Sequence, residues 1–224
     1  MVDALIAVDD LGYSYCGREH LFESVSFSLH AGERLAVLGD NGVGKTTLLS
    51  LLVGLRKPRS GSITAFGQRC MSETDFVAVR KRVGYVFQDP DDQLFCPTVL
   101  EDLCFGPINL GMSEAQALEV SRAMLEQLGI ASLADKVSFQ LSGGQKRIVT
   151  LASVLVMQPD VLLLDEPTNA LDARARERLL ATLLELPQAM VVVSHDTGFV
   201  ESLATRSCTL QPAGLMAPLQ PVVA

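Results

Sequence analysis

One nonapeptide constrains this chain more than any other stretch: Gly39-Asp40-Asn41-Gly42-Val43-Gly44-Lys45-Thr46-Thr47. It fits the phosphate-loop pattern G-x-x-x-x-G-K-S/T, a pattern that carries weight only between a strand and a helix. The residues before it, Leu35-Ala36-Val37-Leu38, read as a short buried strand. Those after it, Thr47-Leu48-Leu49-Ser50-Leu51-Leu52-Val53, predict a helix stopped by Gly54. Gly39, Gly42 and Gly44 allow a backbone that turns sharply and approaches an anion, which a Cβ would obstruct. Successive N–H groups then converge at the positive end of a helix. Lys45 supplies a point charge for terminal phosphates, and the Thr46 hydroxyl is a hard oxygen donor suited to Mg²⁺. Alone, the loop indicates a nucleoside triphosphate and no particular reaction.

The remaining pattern extends this start into an α/β fold. Apolar runs at Leu5-Ile6-Ala7-Val8, Val83-Gly84-Tyr85-Val86-Phe87, Val161-Leu162-Leu163-Leu164 and Met190-Val191-Val192-Val193-Ser194 predict core strands. Val25-Ser26-Phe27-Ser28-Leu29 alternates as a half-buried strand should, Ser62-Ile63-Thr64-Ala65-Phe66 reads as an edge strand, and residues 205–210 as a last one. Helices are expected over residues 72–81, 113–129, 144–157 and 173–186, and strands alternating with helices imply a largely parallel, doubly wound sheet. Between residues 89 and 157 the strand signals cease, which predicts a helical insert. Pro90, Pro97, Gly106 and Pro107 read as breaks in its first part, and the tail from Gln211 is expected to fray.

With 48% hydrophobic residues, the 224-residue chain can bury a sizeable core. No apolar run reaches the roughly 18–20 residues of a membrane span. The start lacks the basic residues of a signal peptide, so a cytoplasmic protein is expected. The net charge of -8 counts against nucleic acid as the main partner. Cys16, Cys70, Cys96, Cys104 and Cys208 are dispersed without a C-x-x-C pair, and read as small apolar residues rather than zinc ligands or disulfides.

Three further strand ends carry polar groups. Asp165 and Glu166 follow the run 161–164, and the carboxyl ends of parallel strands are where ligand chemistry gathers. Asp165 is the candidate to hold Mg²⁺ and Glu166 to polarise an attacking water; two acids opening a helix would read the same way. His195 follows residues 190–194 as a possible donor to a γ-phosphate or as a structural histidine. Gln88, ending another strand, has an amide able to ligate Mg²⁺ without adding charge. Leu141-Ser142-Gly143-Gly144-Gln145 sets two glycines before a helix with Ser142 as N-cap. That is either an ordinary capped start or a second anion site, whose customer would be the nucleotide of another subunit in a head-to-tail pair.

Taken together, in this order and spacing, the loop, Gln88, residues 141–145, Asp165, Glu166, Asp172 and His195 resemble the motifs of ABC transporter ATPase subunits over nearly the whole chain. The resemblance implies one domain with a P-loop NTPase (RecA-like) core and antiparallel β-subdomain in residues 1–88 and 158–224, and a helical signature subdomain in residues 89–157. It implies Tyr15 stacked on adenine in preference to Tyr13, Glu166 as general base and His195 as switch histidine. Ser142, Gly143, Gly144, Gln145 and Asp172 would touch ATP or interface of the partner subunit. Cofactors are then ATP and Mg²⁺. Partners are a second ATPase subunit, self or paralogue, and integral membrane subunits, with the protein peripheral on the cytoplasmic face. Residues 83–107 and 141–147 are most similar to energy-coupling-factor ATPases for cobalt or nickel import, with a docking groove around residues 91–107 anchored on Leu94 and Phe95. Many members have a C-terminal extension that aids dimerisation; this chain ends soon after His195, so a permanent dimer is not carried over. A vitamin transporter, a soluble ABC ATPase and a P-loop kinase are the alternatives; residues 141–145 with Glu166 argue against the kinase.

Overall fold

The computed structural model describes residues 4–15 and 21–211 and the backbone of Ala217–Pro218. β1 (Ile6–Tyr13) and β2 (Phe22–Leu29) pair antiparallel. β3 (Arg34–Leu38) then runs into the glycine-rich loop and α1 (Lys45–Leu52). β4 (Ser60–Ala65) returns beside β1, and β5 (Gln68–Cys70) beside β4, giving a four-stranded antiparallel sheet in the order β2-β1-β4-β5. β4 is therefore interior, against the edge position expected of residues 62–66. The cause is a two-residue hairpin at Phe66 (φ 52°) and Gly67 (φ 79°), whose paired positive φ angles suit the right-handed twist of adjoining strands.

α2 (Glu73–Arg80) starts in a capping box between Ser72 and Asp75 and leads to β6 (Val83–Val86). No strand occurs among the described residues from there to β7 (Val161–Asp165). That interval holds α3 (Val99–Asn109), α4 (Glu114–Gln127) and α5 (Gly143–Leu155). α3 corrects the reading of Gly106 and Pro107 as breakers, since both lie within it. Thr98 and Glu101 form its capping box, a T-x-x-E signal that outweighs the late proline. Pro107 forfeits a helical bond only near the end, where its own carbonyl accepts from Leu110 and Met112 N–H. Gly106 is required by packing: a Cβ there would sit 2.6 Å from Met157 Sδ.

α6 (Ala173–Glu185), β8 (Ala189–Val193), α7 (Thr197–Leu203), β9 (Arg206–Thr209) and β10 (Ala217–Pro218) follow. The second sheet runs β10-β9-β3-β8-β7-β6, parallel except where β10 meets β9. β7 and β8 are buried along their whole length because both faces are covered. Leu35, Val37, Leu163, Val191 and Val193 pack with α1 and the antiparallel sheet. Leu162, Leu164, Met190 and Val192 face α5, α6 and α7. Of the cysteines, Cys208 is buried in the core; Cys70, Cys96 and Cys104 are free and half-buried, and Cys16 lies outside the described residues, as does most of the tail expected to fray. Among the described residues no helix is long and apolar enough to cross a membrane.

Candidate nucleotide-binding site

The loop has the geometry its glycines permit. Gly39, Gly42 and Gly44 adopt φ of 146°, 81° and 109°, angles that L side chains rarely take. Space is tight as well: a Cβ on Gly39 would approach Leu210 O to 2.6 Å, and one on Gly44 would approach Leu21 Cδ2 to 2.8 Å. Lys45 is only 6% exposed, its Nζ donating to Gly39 O at 2.7 Å and Asp40 O at 3.1 Å. Val43 is turned into the core, while Asp40 is exposed. Asn41, Gly42, Gly44, Lys45, Thr46 and Thr47 line one wall of a cleft of about 500 Å³; Tyr15, Gln88, Glu166 and His195 are among the residues lining the rest. Tyr15 is anchored by a 2.9 Å hydrogen bond between its hydroxyl and Thr47 Oγ1, with the Arg56 guanidinium 5.2 Å from its ring centre. Tyr13 instead packs on Tyr15 and Phe22 and accepts a hydrogen bond from Arg56.

The opposite wall is built by the parallel register. Asp165 closes β7 and pairs with Val193 of β8, which brings Glu166 and His195, distant in sequence, to one spot. Glu166 has φ 45° and its N–H donates to Val193 O at 2.8 Å. Its Oε2 lies 2.8 Å from His195 Nδ1 and accepts the His195 backbone N–H at 3.2 Å. Asp165 is 1% exposed, and burial holds its carboxyl above the usual carboxylate range, opposed by hydrogen bonds from Thr46 and Tyr85. The Thr46 hydroxyl donates to Asp165 Oδ1 at 3.1 Å and the Tyr85 hydroxyl to Oδ2 at 3.1 Å. Thr46, Gln88 and Asp165 line a second cleft of about 790 Å³, beside Gly143, Lys146 and Arg147.

Ser142 caps α5, its Oγ accepting from Gln145 N while Gln145 Oε1 accepts from Ser142 N. Ser142 and Gly143 are exposed. Ser142, Gly144, Gln145 and Asp172 border a separate cavity of about 240 Å³, and none of them lines the Lys45 cleft of their own chain. Asp172 caps α6 through a 2.8 Å bond from Ala175 N. Of the two docking anchors, Phe95 is 64% exposed, but Leu94 is buried at 4% and belongs to the core of the helical segment.

Three residues here were not singled out from sequence. Arg147, 2% exposed, donates to Phe87 O and Gln88 O at 2.8 Å each, so the first turns of α5 hold the backbone of Gln88. Lys146 adds a 2.5 Å ion pair to Asp91. Tyr85 reaches Asp165, as above. The arginine had no readable signal, because its partners are main-chain carbonyls.

With this geometry the chain can be set beside known proteins. A family profile described as ABC transporter matches residues 22–169, a span including the glycine-rich loop, Gln88, residues 141–145, Asp165 and Glu166. A putative ABC transporter ATP-binding protein of Brucella suis is 53% identical over 95% of this chain and 88% of its own length. The cobalt import ATP-binding protein CbiO of Rhodobacter capsulatus is 42% identical over 95% of this chain and 78% of its own. The structure of CbiO1 from Clostridium perfringens, described as part of the ABC transporter complex CbiONQ, matches with a TM-score of 0.85 at 34% identity, covering 96% of this chain and 88% of that one. The chain therefore belongs to the ABC transporter family, as an ATP-binding subunit with ATPase activity.

Proposed function

We propose that this subunit powers a membrane importer of the energy-coupling-factor type whose cargo is a transition-metal ion, cobalt or nickel. The observation that carries the reading is the convergence of Lys45, Thr46, Gln88, Asp165, Glu166 and His195 on adjoining clefts, in a chain similar to a cobalt import ATP-binding protein. Tyr15 would stack on adenine. Gly39, Asp40, Asn41, Gly42, Val43, Gly44 and Thr47 would surround the phosphates, with Lys45 as the counter-charge. The donor set of Thr46 hydroxyl, Gln88 amide and buried Asp165 carboxylate is all hard oxygen and suits Mg²⁺. Magnesium bound there would neutralise charge on the phosphates. Glu166 is the base that accepts the proton of the attacking water, and its contact with His195 Nδ1 leaves Nε2 as the ring nitrogen available to the γ-phosphate.

The Lys45 cleft is open, and Ser142, Gly144, Gln145 and Asp172 stand apart from it. In the proposed head-to-tail dimer these residues and Gly143 meet the ATP held by the other subunit's loop. Moving such a dimer from 1:99 to 99:1 closed requires about 5.5 kcal/mol of differential binding. Residues 89–157 then act as a helical subdomain moving with the nucleotide, held to the backbone of Phe87 and Gln88 by Arg147. An apolar groove of about 640 Å³, lined by Val77, Phe95, Phe105 and Leu110 among others, is the docking surface for the membrane subunit. The protein would thus sit peripherally on the cytoplasmic face.

Purifying tagged protein from membranes should yield integral membrane subunits and a second ATPase copy or paralogue, and cells lacking it should lose uptake of radioactive cobalt or nickel. Unchanged uptake of both metals would end the metal-import reading, and absence of any membrane protein would end the transporter assignment at this finer level.

A further inference from the structure

The register of β6 and β7 supplies an inference beyond these roles. Tyr85 pairs with Leu163, so its side chain leaves the sheet on the same face as Leu163 and, two residues on, Asp165. That face is covered by α1, which brings Thr46 and Ser50. The ring of Tyr85 is partly buried against this core, and its hydroxyl reaches up one step to donate to Asp165 Oδ2 at 3.1 Å. Thr46 takes the other oxygen, Oδ1, also at 3.1 Å. The carboxylate is thus pinned from both sides, by the hydroxyl that would share a metal with it and by a phenol that would not. A phenol is ordinarily protonated at neutral pH, so the Tyr85 hydroxyl serves as a donor to this carboxylate.

We propose that Tyr85 is a positioning residue for the metal site: its phenol fixes the Asp165 carboxylate so that Oδ1 is held beside Thr46, ready for a divalent cation. The physical reason is orientational. An Asp carboxyl has a broad, roughly two-fold terminal torsion, and in a cleft of about 790 Å³ an untethered carboxylate is free to turn Oδ1 away from Thr46. A hydrogen bond to a charged oxygen is among the stronger ones, and its loss releases that torsion. The phosphate contacts of the loop do not pass through Tyr85, so the effect should be confined to the metal. This rests on the assignment of Thr46, Gln88 and Asp165 as the metal set.

The test is Tyr85→Phe, which removes one oxygen and keeps the ring. Mn²⁺ is titrated into wild type and variant with stoichiometric ADP, and free Mn²⁺ is read by its EPR signal. Binding of a fluorescent ATP analogue is measured separately in EDTA. The variant should bind Mn²⁺ about tenfold more weakly, with unchanged nucleotide affinity in EDTA. Equal Mn²⁺ affinity in the two proteins overturns the proposal while leaving the metal set standing. An equal loss of nucleotide in EDTA, or failure to fold, also overturns it, because the phenol would then serve the sheet rather than the metal. A wild-type protein that binds no Mn²⁺ would instead refute the metal set itself.

Discussion

Replacing Glu166 by Gln isolates the proposed base from its structural duties. The Glu166 N–H still donates to Val193 O, and a Gln side chain of the same length still offers an oxygen to the His195 backbone N–H. What disappears is the negative charge facing His195 Nδ1. That pair joins an 8% exposed carboxylate to a 64% exposed imidazole, so its contribution is screened and worth less than about 1 kcal/mol. Stability should therefore barely move. Catalysis should fall by about 10²–10⁴, the usual share of a general base, equivalent to roughly 2.7–5.5 kcal/mol of barrier. ATP that binds but is not cleaved should accumulate the closed dimer. Phosphate release measures the first effect, gel filtration with MgATP the second, and thermal melting controls for the fold. Turnover within a few-fold of wild type would remove Glu166 from the role of base. A slow variant that stays monomeric with MgATP would refute the composite-site reasoning.

Lys45→Ala should abolish ATP binding in a calorimetric titration, since the loop then has no cation at its centre; undiminished affinity would contradict the loop assignment. Gly84→Ala should destabilise the fold by about 1–3 kcal/mol in urea unfolding, because its Cβ would lie 2.1 Å from Val154 Cγ1 in a filled core. Asp102→Asn should stabilise the protein at neutral pH. Burial raises the Asp102 carboxyl above the usual carboxylate range, so the folded state favours the protonated form. That contribution is present below the unfolded value and lost as pH rises through the raised folded one. The Asn oxygen can still accept from Phe95 and Cys96 N–H. The advantage over wild type should shrink as the melting buffer is taken toward pH 4, and an advantage independent of pH would refute the argument.

Legibility followed the range of the interactions. The glycine-rich loop was readable because its φ angles and tight approaches admit little but glycine, and Ser72, Ser113 and Ser142 cap helices through partners three residues away. α3 was misread because two breaker residues outweighed a capping box in the same stretch, and Gly106 answers to Met157, far along the chain. β4 was misplaced because its outer neighbour is a three-residue strand too short to show a period. Leu94 and Phe95 are adjacent in sequence and opposite in fate, one core and one surface, which only the packing of α3 and α5 resolves.

By itself the sequence determined the chemistry on offer: a phosphate cradle, a lysine, hard oxygen donors and two acids at a strand end. These depend on residue type and on backbone conformations that neighbouring residues impose. The tertiary structure decided which of them meet. The strand order β3-β8-β7-β6 brings Thr46 to Asp165 and Glu166 to His195, and the β6–β7 register puts Tyr85 on the Asp165 face. Parallel strands are joined by long crossovers, so their neighbours are set by the packing of the whole sheet and its helices, not by any local pattern.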